Sequence, residues 1–377
     1  MTLTAYTGCD VHDGTRLHPG AVLVMDGAIC AGIVASVPAG AKVVALAGGT
    51  LCPGFVDLQV NGGGGVMFSG AATVDTLRTI ATAHRGLGTT ALLPTLITDT
   101  RAATQAAVAV AIRAADEVPG IIGLHLEGPH LSLARKGAHD PGLIRSMDAD
   151  DMAMLCAAAQ ALPNLMLTVA VETVGPAQIA QLTAAGVIVS LGHSDASHDA
   201  CRKAFAAGAR CTTHLFNAMS GLGHREPGLV GATLDGTGAT GLIADAVHVH
   251  PVAIRAALRA KVAGAVFLVS DAMAPAGTDM ATFTLNGREI RRSDRRLTLA
   301  DGTLAGADLS LPQAIAVMVN RVGITREQAI RMACAAPASV LRHPGCAGHL
   351  RAGESCEVVY LSPDLSQAEP LFSRASV

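Results

Sequence analysis

Short apolar runs alternate with amphipathic stretches through most of the chain after residue 50. The runs are continuous rather than alternating, which is typical of strands buried on both faces of a parallel sheet. Eight such strands are predicted, at residues 51–57, 89–95, 120–126, 165–171, 187–191, 209–213, 241–246 and 266–270. Helices are predicted in most of the gaps. We therefore expect a (β/α)8 TIM-type barrel, with a doubly wound open sheet as the alternative.

The two ends of the chain have a different pattern. A hairpin is predicted near the start, where Asp26-Gly27 separates two apolar runs. A second hairpin is predicted at residues 282–290, and helices follow at 311–322 and 325–335. The closing segment, 345–377, again has a strand pattern. We expect residues 1–50 and 340–377 to form one small β-sandwich domain and residues 51–339 to form the barrel, which would be the catalytic domain.

Composition narrows the functional classes. The formal net charge is −3 and no basic stripe is present, which disfavours a nucleic-acid partner. No apolar run is long enough to cross a membrane, and the first residues do not resemble a signal peptide. The nine cysteines include no C-x-x-C pair, so we expect reduced thiols in a cytoplasmic protein.

Ionisable side chains follow the predicted strands at the points where these end. Glu127 ends the third strand, His193 and His214 follow the fifth and sixth, and Asp271 follows the eighth. The carboxyl ends of barrel strands meet on one face, where active sites of this fold lie. Each residue also has a structural interpretation, as a helix or turn cap or as a hydrogen-bonded core histidine. For Asp245, after the seventh strand, the two interpretations are equally favoured.

One carboxylate and two imidazoles form an open three-ligand metal site. A metal held by Glu127, His193 and His214 would lower the pKa of a bound water toward about 7 and supply a hydroxide nucleophile. Asp271 would accept a proton and deliver it to a leaving group. The sequence therefore predicts metal-dependent hydrolysis.

Several ordered motifs resemble those of the N-acetylglucosamine-6-phosphate deacetylases, a family within the amidohydrolase superfamily. The motifs are His-Leu-Glu-Gly-Pro-His at 125–130, Lys-Gly-Ala-His at 136–139, Gly-His-Ser at 192–194, Thr-His-Leu-Phe-Asn-Ala-Met at 213–219, Arg-Glu-Pro-Gly at 225–228, Ile-Ala-Asp at 243–245 through His248, and Ser-Asp-Ala-Met-Ala-Pro at 270–275. In order, they extend from about residue 48 to residue 339.

The resemblance implies removal of acetate from N-acetyl-D-glucosamine 6-phosphate. It implies Glu127, His193 and His214 as metal ligands, Asp271 as general base and acid, and His139 as the group that polarises the acetyl carbonyl. The implied substrate contacts are Ala138, Asn217, Ala218, Arg225, His248, Leu304, Ala305 and Gly306. Arg225 suits a phosphate dianion because its guanidinium is a planar set of donors. The resemblance also implies a homodimer.

The chain departs from many amidohydrolases at the end of the first strand. Where those enzymes place His-x-His for a second metal, this chain has Gln59-Val60-Asn61. Neutral amides are poor ligands for transition metals, so we expect one divalent ion per subunit, Zn²⁺ first, with Fe²⁺ or another transition metal as an alternative. Neither His130 nor His224 is expected to bind it.

Three alternative functions compete with this interpretation. The first is a deacetylase for a related sugar such as N-acetylgalactosamine 6-phosphate. The second is a cyclic amidase of the dihydroorotase type, which is disfavoured because no lysine ends a predicted strand. The third is a catalytically silent sugar-phosphate-binding protein, which is disfavoured because Glu127, His193, His214 and Asp271 are all present.

Overall fold

A computed structural model describes residues 3–371, and its central feature is an eight-stranded parallel sheet. The strands are Phe55–Val60, Thr89–Ile97, Leu124–Glu127, Leu165–Val169, Ile188–Leu191, Cys211–Thr212, Ala239–Leu242 and Val266–Leu268. They lie side by side in chain order. Val60 of the first strand forms a parallel bridge with Ala272, four residues beyond the end of the eighth strand. The sheet is thus a nearly closed barrel, which confirms the predicted (β/α)8 architecture and excludes the open sheet.

Helices cover the outside of the barrel. They are Val74–Arg85, Arg101–Glu117, Ala149–Ala161, Pro176–Ala185, His198–Ala206, Gly228–Asp235, Pro251–Ala260, Leu311–Val317, Arg326–Ala333 and Ala335–Ala338. A short 3₁₀ turn covers Leu133–Arg135, and a π-helical turn, Met318–Val322, continues one helix. No helix among the described residues is long and apolar enough to cross a membrane.

The helix Val74–Arg85 illustrates how the sequence sets this arrangement. Thr73 caps its first turn, and the hydroxyl of Thr73 accepts a hydrogen bond from the backbone N–H of Thr76. Leu77 and Ile80 lie on the buried face of the helix and pack into the large core outside the strands. Burying each of these side chains stabilises the fold by roughly 1.5–3 kcal/mol.

Two predicted elements need correction. The strand expected at residues 51–57, with a break at Pro53-Gly54, is in fact two separate strands, Thr50–Pro53 and the barrel strand Phe55–Val60. A side chain at Gly54 would lie 1.9 Å from the hydroxyl of Thr90, so the chain crosses the second barrel strand closely at this residue. The helix Gly228–Asp235 was not predicted, because it has eight residues and begins at a Pro-Gly pair.

Strands near the two chain ends form two further sheets. A four-stranded sheet comprises Ile29–Val34, Val22–Asp26, Thr4–Thr7 and Lys42–Ala45, in that order. The predicted hairpin across Asp26-Gly27 is confirmed by the antiparallel pairing of its two strands. A five-stranded sheet comprises Ala368–Pro370, Val358–Leu361, Thr50–Pro53, Asp10–His12 and Leu17–His18.

The five-stranded sheet joins both ends of the described chain, since Val358–Leu361 pairs antiparallel with Thr50–Pro53. The exact division into residues 1–50 with 340–377 and residues 51–339 stays a prediction. Residues 1, 2 and 372–377 lie outside the described residues.

An insert follows the eighth barrel strand. It is a four-stranded antiparallel sheet of Thr282–Leu285, Arg288–Ser293, Arg296–Thr298 and Leu304–Ala307. The last strand returns to the barrel, where Ala307 bridges Ala272. At Gly306, with φ of +67°, a side chain would lie 2.5 Å from Cγ of Met273 and 3.0 Å from the carbonyl oxygen of Asp271. Glycine therefore lets the insert pack directly against the end of the eighth strand.

Candidate metal centre and active site

The carboxyl ends of the barrel strands place three candidate ligands together. Oε1 of Glu127 lies 3.2 Å from Nε2 of His193 and 3.0 Å from Nε2 of His214. The two histidine nitrogens are 3.2 Å apart. All three side chains are buried. The arrangement therefore brings one donor atom from each residue to a single point.

The spacing of these atoms fits a divalent ion. A tetrahedral ion with bonds of about 2.1 Å places its ligand atoms about 3.4 Å apart, close to the separations found here. The ring of His193 donates through Nδ1 to the carbonyl oxygen of Arg135 at 2.8 Å, which leaves the Nε2 lone pair facing Glu127. Nδ1 of His214 is buried without a hydrogen-bond partner.

His139 also lies within reach of this centre. Three residues, Glu127, His139 and His193, each offer one ligand atom, and these atoms all lie within 4.8 Å of one another. However, Nδ1 of His139 lies 2.8 Å from the hydroxyl of Thr98 and accepts a hydrogen bond from the backbone N–H of Thr98 at 3.3 Å. Because a backbone N–H can donate only to an unprotonated nitrogen, this contact favours the ring proton on Nε2. Burial, with the neighbouring His193, lowers the pKa of His139 to about 3, so the ring is neutral. His139 is therefore suited to donate a hydrogen bond into the cavity, and His214 is the better ligand.

Asp271 lies beside the ligand set and is held by two amides. Nδ2 of Asn61 donates to Oδ1 of Asp271 at 2.7 Å, and Nε2 of Gln59 donates to the same oxygen at 3.1 Å. Gln59 also donates to Oε1 of Glu127 at 3.1 Å. Within residues 3–371, Oδ2 of Asp271 accepts no hydrogen bond. Burial raises the pKa of Asp271 to about 6, and the negative charge of Glu127 is a second, smaller cause in the same direction.

The backbone is strained at the same residues. His193, His214 and Asp271 have φ angles of +47°, +29° and +49°, in the left-handed region that residues with side chains rarely adopt. Such conformations cluster at functional sites, where surrounding structure holds them. The three residues therefore mark a candidate functional site at the carboxyl ends of the strands.

A polar network lies beneath the ligands inside the barrel. Nε2 of His125 lies 2.7 Å from the hydroxyl of Thr168, which lies 2.7 Å from the hydroxyl of Thr213. Nδ1 of His125 donates to the carbonyl oxygen of Leu58 at 3.0 Å. Burial lowers the pKa of His125 to about 4, so its ring is neutral. The network supports the floor of the site without adding a charge.

A cavity of about 280 Å³ opens above the ligands. It is lined by nearly all of the residues expected from the sequence: Glu127, Ala138, His139, His193, His214, Asn217, Ala218, His248, Asp271, Leu304, Ala305 and Gly306. The volume lies near the lower end of small-molecule sites, roughly 300 Å³. The insert after the eighth strand forms one wall.

Arg225 is the expected site residue that the structure does not bring to the cavity. Its segment, residues 221–226, is exposed, and Leu222 is 63% exposed. Glu226 fixes the end of this segment by accepting hydrogen bonds from the backbone N–H groups of His198 and Gly228. Among the described residues that line the cavity there is no lysine or arginine.

His130 and His224 lie away from the ligands. Nδ1 of His130 donates to the carbonyl oxygen of Arg145 at 3.0 Å, and His224 is exposed. Neither residue lines the cavity.

Sequence reasoning missed two groups of site residues. Asp57 is fully buried in the first barrel strand and accepts hydrogen bonds from the backbone N–H groups of Gln59 and Ser270. Burial raises the pKa of Asp57 to about 7. An acidic residue inside an apolar run was the available signal. The apolar cavity wall was also missed: Ile97, Ile243, Met273 and Leu285. Ile243 and Met273 stand inside two of the quoted motifs, but Ile97 and Leu285 carry no signal that separates them from ordinary core residues.

Comparisons with known proteins match this geometry. The profile of the amidohydrolase family matches residues 50–373. A relative from a Shewanella species, named N-acetylgalactosamine-6-phosphate deacetylase, is 41% identical over 91% of this chain and 88% of its own. One from Haemophilus influenzae, named N-acetylglucosamine-6-phosphate deacetylase, is 33% identical over 91% of each chain. The crystal structure of an N-acetylglucosamine-6-phosphate deacetylase from Pasteurella multocida superposes with a TM-score of 0.91 at 32% identity, covering 97% of each chain.

Proposed function

Because this chain belongs to the amidohydrolase family and is a metal-dependent hydrolase, we propose that it deacetylates N-acetyl-D-glucosamine 6-phosphate to glucosamine 6-phosphate and acetate. The observation that carries the proposal is the convergence of Glu127, His193 and His214 beside Asp271 and His139 in one cavity. A catalytically silent binding protein would not need a complete ligand set and a free carboxylate oxygen together.

The three ligands would hold one divalent ion, with Zn²⁺ proposed first and Fe²⁺ as an alternative. When bound, such an ion polarises a carbonyl group and makes a water molecule more acidic. Gln59 and Asn61 supply hydrogen bonds to Glu127 and Asp271 and no strong ligand, which supports one ion rather than two.

The chain's own residues would move the protons. Oδ2 of Asp271, which accepts no hydrogen bond within residues 3–371, would accept a proton from the attacking water and then donate it to the nitrogen of the leaving amine. The Nε2–H group of His139 donates to the acyl oxygen as negative charge develops there. Water and the acetamide are consumed, and acetate and the amine are released, so Asp271 ends each cycle ionised.

A second candidate substrate is N-acetyl-D-galactosamine 6-phosphate. It is favoured because the relative that is 41% identical is named an N-acetylgalactosamine-6-phosphate deacetylase. The two sugars differ in the configuration of one hydroxyl group. A site that hydrogen-bonds a hydroxyl discriminates strongly against a substrate that cannot make that bond.

The substrate proposal is tested by measuring acetate release from both 6-phosphates with the purified metal-loaded protein. We expect kcat/KM to be at least about tenfold higher for the glucosamine derivative, because a misplaced hydroxyl leaves a buried polar group unpaired. The reverse preference would assign the galactosamine derivative instead. Absence of acetate from both would overturn the proposal.

We also propose that the chain acts in the cytoplasm as a homodimer in which Arg225 binds the phosphate across the interface. Arg225 is exposed and lies outside its own cavity, which has no lysine or arginine among its described lining residues. A phosphate dianion favours a cationic donor such as a guanidinium. An arginine from a second copy would supply it.

Mixing two inactive variants tests this arrangement. We expect Arg225→Ala and Asp271→Asn each to have little activity alone. A refolded equimolar mixture should recover about a quarter of the wild-type activity, because half of the dimers then contain one intact site. The matched control mixes Arg225→Lys with Asp271→Asn, because lysine keeps the positive charge but lacks the planar set of donors. No recovery in a mixture shown to exchange subunits would contradict a shared site.

A further inference from the structure

Asp245 lies three residues beyond the seventh barrel strand and is buried. Oδ1 accepts hydrogen bonds from the backbone N–H groups of Val247 and His248, both at 2.8 Å. Oδ2 lies 2.6 Å from Nδ1 of the His248 ring. One carboxylate therefore holds both the backbone and the ring of His248.

The two oxygens of Asp245 serve different purposes. The contacts of Oδ1 close the turn after the strand, in which Ala246 adopts a φ of +63°. The contact of Oδ2 adds nothing to the closure of this turn, because it reaches only the ring of His248. A purely structural turn would need Oδ1 alone.

The contact between Oδ2 and Nδ1 fixes the state of the ring. Burial acts to raise the pKa of Asp245, but the hydrogen bonds from the ring and backbone of His248 outweigh it and hold that pKa below its ordinary value. An ionised carboxylate accepts only, so Nδ1 must carry a proton. The second nitrogen, Nε2, makes no hydrogen bond within residues 3–371, and His248 lines the cavity.

We propose that Asp245 is a positioning residue for substrate binding: it holds His248 in the Nδ1–H tautomer, so that Nε2 is presented to a polar group of the sugar. This inference rests on the proposed function for the identity of the ligand. In neutral His248, Nε2 is an acceptor for a sugar hydroxyl. Asp245 thus acts through His248 and touches no reacting atom.

Asp245→Asn separates the two purposes of the carboxylate. The amide oxygen can still accept from the backbone N–H groups, so the turn is retained. The amide nitrogen would donate to Nδ1, which forces the ring proton onto Nε2 and converts the acceptor in the cavity to a donor. Asp13→Asn is a matched control, because Asp13 also accepts from backbone N–H groups and lies 2.8 Å from a histidine ring, His18, far from the cavity.

The experiment combines histidine ¹⁵N NMR of the substrate-free holoenzyme with steady-state kinetics. We expect the wild type to have the Nδ1–H tautomer at His248 and Asp245→Asn to have the Nε2–H tautomer, with equal metal content. KM should rise about tenfold or more while kcat changes little, since the lost contact is a hydrogen bond to substrate. Asp13→Asn should leave both constants unchanged.

A His248→Ala background completes the test. If Asp245 acts through His248, adding Asp245→Asn to His248→Ala should raise KM no further. An additive rise in KM, an unchanged tautomer in Asp245→Asn, or loss of metal would each overturn the inference. Failure of the proposed function has a different signature, since no acetate would be released by any variant, and the NMR tautomers would still decide whether Asp245 orients the ring.

Discussion

Asp271→Asn is expected to lower kcat by about 10²–10⁴-fold while the bound metal is retained. The substitution preserves the size of the side chain and an oxygen that can accept from Asn61 and Gln59, which donate to Oδ1 of Asp271. The amide cannot take a proton from water or give one to the departing amine. The loss should therefore fall on turnover and leave the ligand set intact.

Rate, metal content and substrate affinity must be measured together for this variant. Metal analysis should give the same metal content as the wild type, and calorimetry should still detect binding of the intact sugar phosphate. The control is Asp75→Asn, which removes one negative charge from a side chain that is 91% exposed and so tests whether the loss of charge alone lowers turnover. Turnover within a few-fold of wild type in Asp271→Asn would remove Asp271 from its proton-transfer role.

Removing the metal is expected to have the second large effect. Dialysis against a chelator should reduce acetate release by about 10³-fold or more, because an amide is a poor electrophile without a polarised carbonyl. Added Zn²⁺ or Fe²⁺ should restore it. The stripped protein should also unfold at a lower temperature, since an ion that binds the folded state stabilises it. Dialysis without chelator is the control, and full activity in demonstrably metal-free protein would contradict the account.

The sequence predicted much of this site because barrel geometry makes strand ends equivalent. Glu127 ends one strand, and His193 and His214 follow two others, yet one donor atom from each residue lies within 3.2 Å of the other two. The motifs carried the resemblance to the N-acetylglucosamine-6-phosphate deacetylases, which the comparisons confirm. Gln59 and Asn61 were identified as poor ligands. Their hydrogen bonds to Asp271 and Glu127 could not be read from the sequence, because they depend on side-chain directions across the barrel mouth.

Other features depend on tertiary packing that a local pattern does not encode. The apolar run at residues 51–57 predicts a strand broken at Pro53-Gly54, but it does not indicate that the chain crosses there from the five-stranded sheet to the barrel. The insert supplies Leu285 and residues 303–306 to the cavity wall, and nothing in its hairpin pattern indicates which barrel face it covers. The exposed position of Arg225, outside the cavity of its own chain, is of the same kind, because the motif around it does not indicate where its loop lies relative to the barrel mouth.

One metal ion, held by Glu127, His193 and His214, is proposed to support deacetylation. The most direct test is to add Zn²⁺ stepwise to stripped protein while measuring acetate release from N-acetyl-D-glucosamine 6-phosphate. We expect activity to rise linearly and to reach its maximum at about one ion per chain, since Gln59 and Asn61 provide no strong second site. A maximum reached only at two ions per chain, or no acetate release at any amount of metal, would contradict the proposal.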